Sequence, residues 1–244
     1  MNDSFDQWEE IASSTTVRLN ERNRVCTGVL IAEPHSGTVH SAAGPRSTRL
    51  VLTCAHFFRT APRRGYHVNG FSGGKKWRRR ILAVRTIDGS DCALALLHHP
   101  VEVPALLGLS AARPHWGQEV TTYGFGGLGG ATGRQEAQPR WGRVLLGLPV
   151  AIGRNLRTVV RPAALVRNAP PAVKGDSGGP VIADGTIVAT QSLIADPFGT
   201  QPRSRDRQRP RTAPAGHPRR CRGSVRRTTV CIGTKRCSES LVRP

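Results

Sequence analysis

Short apolar segments separated by turn residues run through most of the chain, and this pattern most restricts how it can fold. The segments are rich in β-branched and aliphatic side chains, and Gly, Pro and polar residues stand between them, which is typical of β-strands and their turns. The long amphipathic stretches that would cover a parallel sheet are missing. The sequence therefore predicts an all-β barrel or sandwich, with an α/β fold as the alternative. The predicted strands cover residues 17–19, 25–32, 50–53, 80–86, 92–97, 119–123, 142–148, 156–161, 181–182 and 186–194.

Positive charge is concentrated near the end of the sequence. The formal net charge is +20, and residues 201–244 supply +11 of it, with 13 Lys and Arg against 2 Asp and Glu. Residues 200–244 are rich in Arg and Pro and too poor in apolar side chains to offset the entropy cost of ordering, so they are predicted to be a disordered tail. Only Thr228–Ile232 has the composition of a strand. A natural disordered tail and a shifted reading frame would both produce this composition.

The N-terminal residues do not resemble a targeting segment. The first ten residues are acidic, whereas a secretory leader has a basic start followed by an apolar core. No apolar run approaches the roughly 18 residues that a membrane-spanning helix needs. The sequence predicts a cytoplasmic protein without membrane contact, or a secreted one if the native N-terminus lies further upstream.

The cysteines follow no metal or redox motif, because none of the six lies in a CxxC pair. In a reducing compartment Cys26, Cys54 and Cys92 are predicted to be small buried apolar side chains. One group has the residue types of metal ligands, but not a standard zinc spacing: His217, Cys221, Cys231 and Cys237. The sequence therefore predicts no metal and no other cofactor.

The hexapeptide Gly175–Pro180 (GDSGGP) has the features of a nucleophile turn. Gly175 lets the backbone approach a reacting carbonyl closely, so the N–H groups of Gly175 and Ser177 can converge on one oxygen and form an oxyanion hole. The glycines after Ser177 allow a tight turn that exposes its hydroxyl. Ser177 is therefore the candidate nucleophile.

A serine hydroxyl needs a general base, and the base needs an orienting carboxylate. Of the seven histidines before residue 200, only His56 directly follows an apolar strand. Asp91 precedes the apolar run Cys92–Leu97, where a charge is costly unless it has a partner. Asp88 is the alternative carboxylate, but Gly89 and Ser90 follow it, which is typical of a turn. We favour Asp91.

Three segments in this order resemble the trypsin-like (chymotrypsin-fold) serine peptidases: Val51–His56, Asp91–Leu94 and Gly175–Pro180. The resemblance extends over residues 16–196. It implies a peptidase domain over residues 12–199, built from two antiparallel Greek-key β-barrels at about 16–105 and 117–199. The catalytic triad His56, Asp91 and Ser177 would lie between them. Residues 200–244 show neither the closing strand nor the terminal helix of the second barrel. That barrel is thus expected to be incomplete and the tail dispensable.

The resemblance also implies an activity, namely hydrolysis of polypeptide substrates through an acyl-enzyme, without a cofactor. Ser192 would lead into the substrate-binding edge. The specificity pocket would be set by Pro171, Ala172, Val173 and, at its rim, Lys174. None of the first three carries a charge that could pair with a buried cation, so cleavage is expected after small or apolar residues.

Two departures from the family pattern leave open whether the chain is an active peptidase or an inactive relative. Phe57 stands where the family has a disulfide cysteine, and Asp176 must find a partner other than a newly cut N-terminus. The alternative to a peptidase is an inactive or incomplete peptidase-like binding protein whose basic tail contacts polyanions. Nucleic acid is a poor candidate partner because residues 200–244 contain no aromatic side chain for base stacking.

Overall fold

The computed structural model describes residues 3–33, 46–59, 65–127, 136–153, 156–195 and 228–233. Their backbone forms two antiparallel β-barrels of six strands each, preceded by a helix, α1 (Asp3–Thr15). The prediction of an all-β fold with two barrels is confirmed. No helix in these ranges is both long and apolar enough to span a membrane.

The first barrel closes because its first strand pairs with both the second and the fourth. Around the barrel the order is β1-β2-β3-β6-β5-β4, and a short 3-10 helix, Ala55–Phe58, follows β3. The strands are β1 (Thr16–Glu21), β2 (Arg24–Ile31), β3 (Arg46–Cys54), β4 (His67–Ser72), β5 (Lys75–Thr86) and β6 (Cys92–Val103).

The second barrel repeats this strand order. It begins with β7 (Glu119–Gly124) and β8 (Gln138–Leu148), after which β9 (Ala151–Ile152) and β10 (Val159–Val160) form a separate two-stranded sheet. The remaining barrel strands are β11 (Ala163–Ala169), β12 (Pro180–Ala183), β13 (Thr186–Ala195) and β14 (Thr228–Gly233). The order β7-β8-β11-β14-β13-β12 matches that of the first barrel position by position, although the sequence shows no repeat.

Closure of the second barrel corrects the expectation that it is incomplete. Strand β14 pairs with β11 on one side and with β13 on the other, with Val230 opposite both Leu165 and Leu193. Its residues come from the segment predicted to be a dispensable tail. The β-branched sequence Thr-Thr-Val-Cys-Ile suits a strand, and the pairing satisfies backbone groups that β11 and β13 would otherwise expose. The rest of that segment lies outside the described residues.

Three apolar clusters hold the molecule together. One fills the first barrel around Leu19, Leu30 and Leu97, and a second fills the other barrel around Val144 and Val166. The third lies between the barrels and joins residues of both; its buried members include Leu52, Leu94, Tyr123, Phe125 and Ile182. Because this third cluster is continuous across the interface, the two barrels pack against each other over a shared core, and the candidate site is built along that seam.

Several elements differ from the sequence prediction, and strands β4 and β9 have no predicted counterpart. Helix α1 was not predicted; it packs the fully buried Ala12 against the core, and it ends where the hydroxyls of Thr15 and Thr16 bond to the carbonyls of Ile11 and Ala12, both at 2.6 Å. The strand predicted at residues 156–161 is instead the two-residue β10, and the longer β11 follows it between two prolines.

Candidate active site

The backbone brings His56 to Asp91 although they are 35 residues apart. Strands β3 and β6 pair so that Cys54 lies opposite Cys92, which places the end of one strand at the start of the other. The 3-10 helix then begins with a bond from the Ala55 amide to the Asp91 carbonyl, 2.7 Å. His56 follows directly, and its own amide donates to Asp91 Oδ1 at 2.9 Å.

The Asp91 carboxylate is fully buried and receives four donors. His56 Nδ1 lies 2.7 Å from Oδ2, and the Ser192 hydroxyl donates to the same oxygen. Arg59 Nη2 lies 3.3 Å from Oδ1, which also accepts the His56 amide. A carboxylate at Nδ1 requires the proton on that nitrogen, so neutral His56 presents Nε2 as an acceptor. Asp88 is exposed and does not enter this network.

The ionisation of His56 reflects opposing effects. Burial opposes the charged imidazolium and by itself lowers the pKa of His56, whereas the adjacent Cys54 sulfur and the Asp91 carboxylate raise it, and the net shift is upward. Burial also raises the pKa of Cys54 well above its usual value, so this thiol is neutral near pH 7. Asp91 therefore supplies the negative charge that favours the imidazolium.

Ser177 lies in the turn between the barrels. Its carbonyl accepts from the Thr27 amide of the first barrel at 2.8 Å, and its hydroxyl donates to the Ser192 carbonyl at 3.2 Å. His56 Nε2 lies 3.7 Å from the Cys54 sulfur. Within the described residues no hydrogen bond joins Ser177 to His56, because the serine hydroxyl donates to the Ser192 carbonyl instead.

The turn depends on glycine at two positions. Gly175 has φ +108° and Gly178 has φ +85°, both in the left-handed region that side chains other than glycine rarely adopt. At Gly178 a Cβ would also clash with the Thr27 carbonyl oxygen and the Thr53 hydroxyl. The close approach of the two barrels at this turn therefore requires the missing side chain.

Two amide groups of the turn point to no acceptor in the described part of the chain, namely those of Gly175 and Ser177. The amides that follow each of them are paired: that of Asp176 bonds to the Val173 carbonyl at 3.1 Å, and that of Gly178 to the Gln191 carbonyl at 2.6 Å. The unpaired amides are the two from which the sequence predicted an oxyanion hole. Free donors beside a hydroxyl are what a developing oxyanion needs.

Asp176 is held by a buried arginine that the sequence analysis did not identify. Arg140 of β8 approaches the Asp176 carboxylate with Nε at 3.0 Å and Nη2 at 3.5 Å. The amides of Gly126 and Val173 complete the contacts at 2.7 and 2.8 Å. The sequence indicated only that Asp176 needs a cation or donor, and the inward position of Arg140 in β8 is visible only in the structure.

Thr27 and Arg59 were also missed. Thr27 is fully buried in β2, and its hydroxyl donates to the Gly175 carbonyl at 2.8 Å and accepts from the Phe125 amide at 3.0 Å. Arg59 joins Asp91 to the second barrel through the Arg157 carbonyl and the Thr158 hydroxyl. Neither residue belongs to a motif, and their partners are distant in sequence.

The predicted substrate-binding residues lie around the turn. Pro171 is half-buried, Ala172 is buried and Lys174 is exposed. The amide of Val173 holds Asp176, and its side chain lies against Gly126 and Gly127. Ser192 lies at the centre of the site, because it contacts Asp91 through its hydroxyl and Ser177 through its carbonyl.

Metal ligands are not grouped in the ranges the structure covers, since no three His, Cys, Asp or Glu side chains there are arranged to hold an ion. Cys26, Cys54 and Cys92 are buried, and none of them forms a disulfide within the described residues. His217, Cys221 and Cys237 lie outside the described residues.

No protein-family model matches the chain, and no curated protein matches it. Several solved structures match the chain in fold. The MamO protease domain from Magnetospirillum magneticum, in its apo form, is 18% identical with a TM-score of 0.60, over 97% of this chain and 100% of that one. The active form of the Rv3671c protease from M. tuberculosis is 16% identical with a TM-score of 0.60, over 96% and 82% of the two chains. Neuropsin, a serine protease of mouse brain, is 16% identical with a TM-score of 0.58, over 94% and 93%. With its two closed barrels and the seam between them, this chain has the fold of the trypsin-like serine proteases.

Proposed function

We propose that this protein is a serine endopeptidase that acts through Ser177, His56 and Asp91. The observation that carries the proposal is the buried Asp91 carboxylate bonded to His56 Nδ1 at 2.7 Å and, through Ser192, linked to Ser177 on a glycine turn with two unpaired amides. These parts match the roles of nucleophile, base, orienting carboxylate and oxyanion donors.

The proposed reaction has two acyl-transfer steps. The Ser177 hydroxyl rotates from the Ser192 carbonyl towards His56 and gives its proton to Nε2 as Oγ attacks the peptide carbonyl. The negative carbonyl oxygen is bound by the Gly175 and Ser177 amides. The imidazolium then protonates the leaving amine, which breaks the peptide bond and leaves an acyl-serine. Water, deprotonated by His56, releases the acid and restores Ser177.

The proposed substrates are polypeptides cut after small or apolar side chains. Pro171, Ala172 and Val173 offer no carboxylate, and the exposed Lys174 would repel a cationic side chain nearby. Cleavage of a peptide library tests this specificity. A dominant preference for Lys or Arg before the cut bond would contradict it.

One observation favours the second candidate function, an inactive peptidase-like binding protein. His56 Nε2 lies against the Cys54 sulfur, while the Ser177 hydroxyl is bonded to the Ser192 carbonyl. If the hydroxyl cannot leave that carbonyl, the triad does not assemble. Binding of polyanions by the basic segment after residue 200 would then be the remaining activity.

Covalent labelling with a fluorophosphonate separates the two functions, because only an activated serine reacts. We expect stoichiometric labelling at Ser177, loss of labelling in Ser177→Ala, and an unchanged melting temperature for that variant. His56→Ala should lose nearly as much reactivity, since triad members act together. A folded wild-type protein that takes up no label would favour the binding protein.

A further inference from the structure

Arg59 makes a contact with Asp91 that the proposed reaction does not require. Its Nη2 lies 3.3 Å from Asp91 Oδ1, on the carboxylate oxygen opposite the one that holds the His56 ring. The Asp91 side chain is fully buried, whereas 36% of the Arg59 side chain is exposed. A buried carboxylate is therefore shared between a permanent cation and an imidazole that titrates.

The same guanidinium is fixed from the other barrel. Arg59 Nη1 donates to the Arg157 carbonyl and lies 3.1 Å from the Thr158 hydroxyl, which is buried. These acceptors come from the segment that leads into β10. Contacts from both halves of the fold thus fix the Arg59 guanidinium on the side of Asp91 that faces away from the His56 ring.

A cation at this place opposes the charging of His56. The imidazolium is stabilised by the negative charge of Asp91, and Arg59 reduces that stabilisation by neutralising part of the charge and by repelling the second cation. Among the described residues, Asp91 and the neutral Cys54 thiol of the first barrel contact His56, and from the second barrel the Ser192 hydroxyl reaches the Asp91 oxygen that holds the ring. Asp91 is the sole carboxylate among them within the described residues.

We propose that Arg59 is a positioning residue that holds Asp91 on the side away from the imidazole and opposes protonation of His56, so that the neutral, proton-accepting ring forms at lower pH than it would without this cation. The role of the neutral imidazole rests on the proposed function, but the effect of Arg59 on its protonation does not. It follows from the two contacts to one carboxylate.

The test is a titration of the His56 ring, followed by NMR in the full-length protein and assigned by comparison with His56→Gln. In Arg59→Met the midpoint should move to higher pH by about half to one unit, because one partly exposed charge at this separation is worth roughly that much. Arg59→Lys keeps a cation and should titrate near the wild type. Arg49→Met is the matched control, since Arg49 of β3 has similar exposure and pairs with Glu33 instead, 3.8 Å away.

Fluorophosphonate labelling against pH provides the second readout. Labelling needs neutral His56, so its acidic limb should move to higher pH in Arg59→Met by the same amount as the NMR midpoint. If the wild type is never labelled, the proposed peptidase function fails while the NMR titration still decides the role of Arg59. An unchanged His56 midpoint in Arg59→Met would overturn the inference. An equal shift in Arg59→Lys would also overturn it, because packing and not charge would then be responsible.

Discussion

At the scale of single residues, the pair formed by Arg140 and Asp176 provides a sensitive test of the site. Both side chains are almost completely buried. Removing the cation in Arg140→Met leaves a buried carboxylate with only amide donors, which should lower the free energy of unfolding by about 3–5 kcal/mol. Denaturant unfolding measures this loss, and the labelling rate of Ser177 should fall with it because Asp176 lies between the amides of Gly175 and Ser177, which we propose as the oxyanion donors.

The matched control lies on the same strand. Arg143 pairs with Glu119 at 2.5 Å, but both side chains are largely exposed, so Arg143→Met should cost no more than about 1 kcal/mol. Equal losses in the two variants would show that the Arg140 contact is not a buried ion pair in solution.

Two carboxylates three residues apart give a further residue-scale prediction. Asp91→Asn keeps the shape of the side chain but removes the charge that holds the His56 tautomer, so we expect hydrolysis to fall by about four orders of magnitude. Asp88→Asn should leave the rate unchanged, because Asp88 is exposed and outside the network. Rates on an ester substrate decide between them, and a sensitive Asp88 would reverse the assignment.

Residues that belong to a motif could be predicted from the sequence, and residues defined only by a distant partner could not. His56, Asp91 and Ser177 each follow or precede a recognisable apolar strand or glycine turn. Arg59 and Arg140 are two of many arginines, and nothing in the local sequence distinguishes a buried guanidinium from a solvated one. Their roles become visible only when the fold brings a buried carboxylate to them.

At the scale of elements, strand β2 is tied to the serine turn through Thr27. Its hydroxyl donates to the Gly175 carbonyl and accepts from the Phe125 amide, and its own amide donates to the Ser177 carbonyl. Thr27→Val keeps the volume but leaves two buried groups unpaired, so we expect a loss of about 1–3 kcal/mol in unfolding free energy and slower labelling. Thr27→Ser retains the hydroxyl and should keep most of the labelling rate. If both variants label equally slowly, the methyl group and not the hydroxyl sets the turn.

The sequence predicted elements that carry a strong local signal and missed elements that depend on distant strand pairing. Asp184-Gly185 predicted the hairpin between β12 and β13, and both residues have positive φ, as a tight turn of this kind requires. Strand β4 has little apolar alternation, and β11 is short and enclosed by prolines, so neither carries a strong local signal. Their pairing partners, set by barrel closure, define them as strands.

At the scale of the whole molecule, closure of the second barrel depends on a strand from the Arg-rich segment. A chain shortened to end at residue 227 lacks β14 and exposes one edge each of β11 and β13. We expect its melting temperature to fall by roughly 10 °C or more relative to the full chain, because a strand paired on both sides is lost. A chain that ends at residue 233 keeps β14 and should melt close to the full-length protein. Equal melting temperatures for the two shortened chains would show that β14 does not stabilise the barrel and that the tail is dispensable.

Because β14 lies late in the sequence, the two barrels cannot be completed at the same time during synthesis. A ribosome delivers the first barrel, Ser177 and Ser192 well before residues 228–233, since 32 residues separate β13 from β14. Domains form as their segments emerge, so the first barrel can fold while the second still has an open edge. The second barrel, which carries the serine turn, can close only once β14 has been added. If the proposed peptidase function holds, activity would therefore appear only after residues 228–233 have joined the fold.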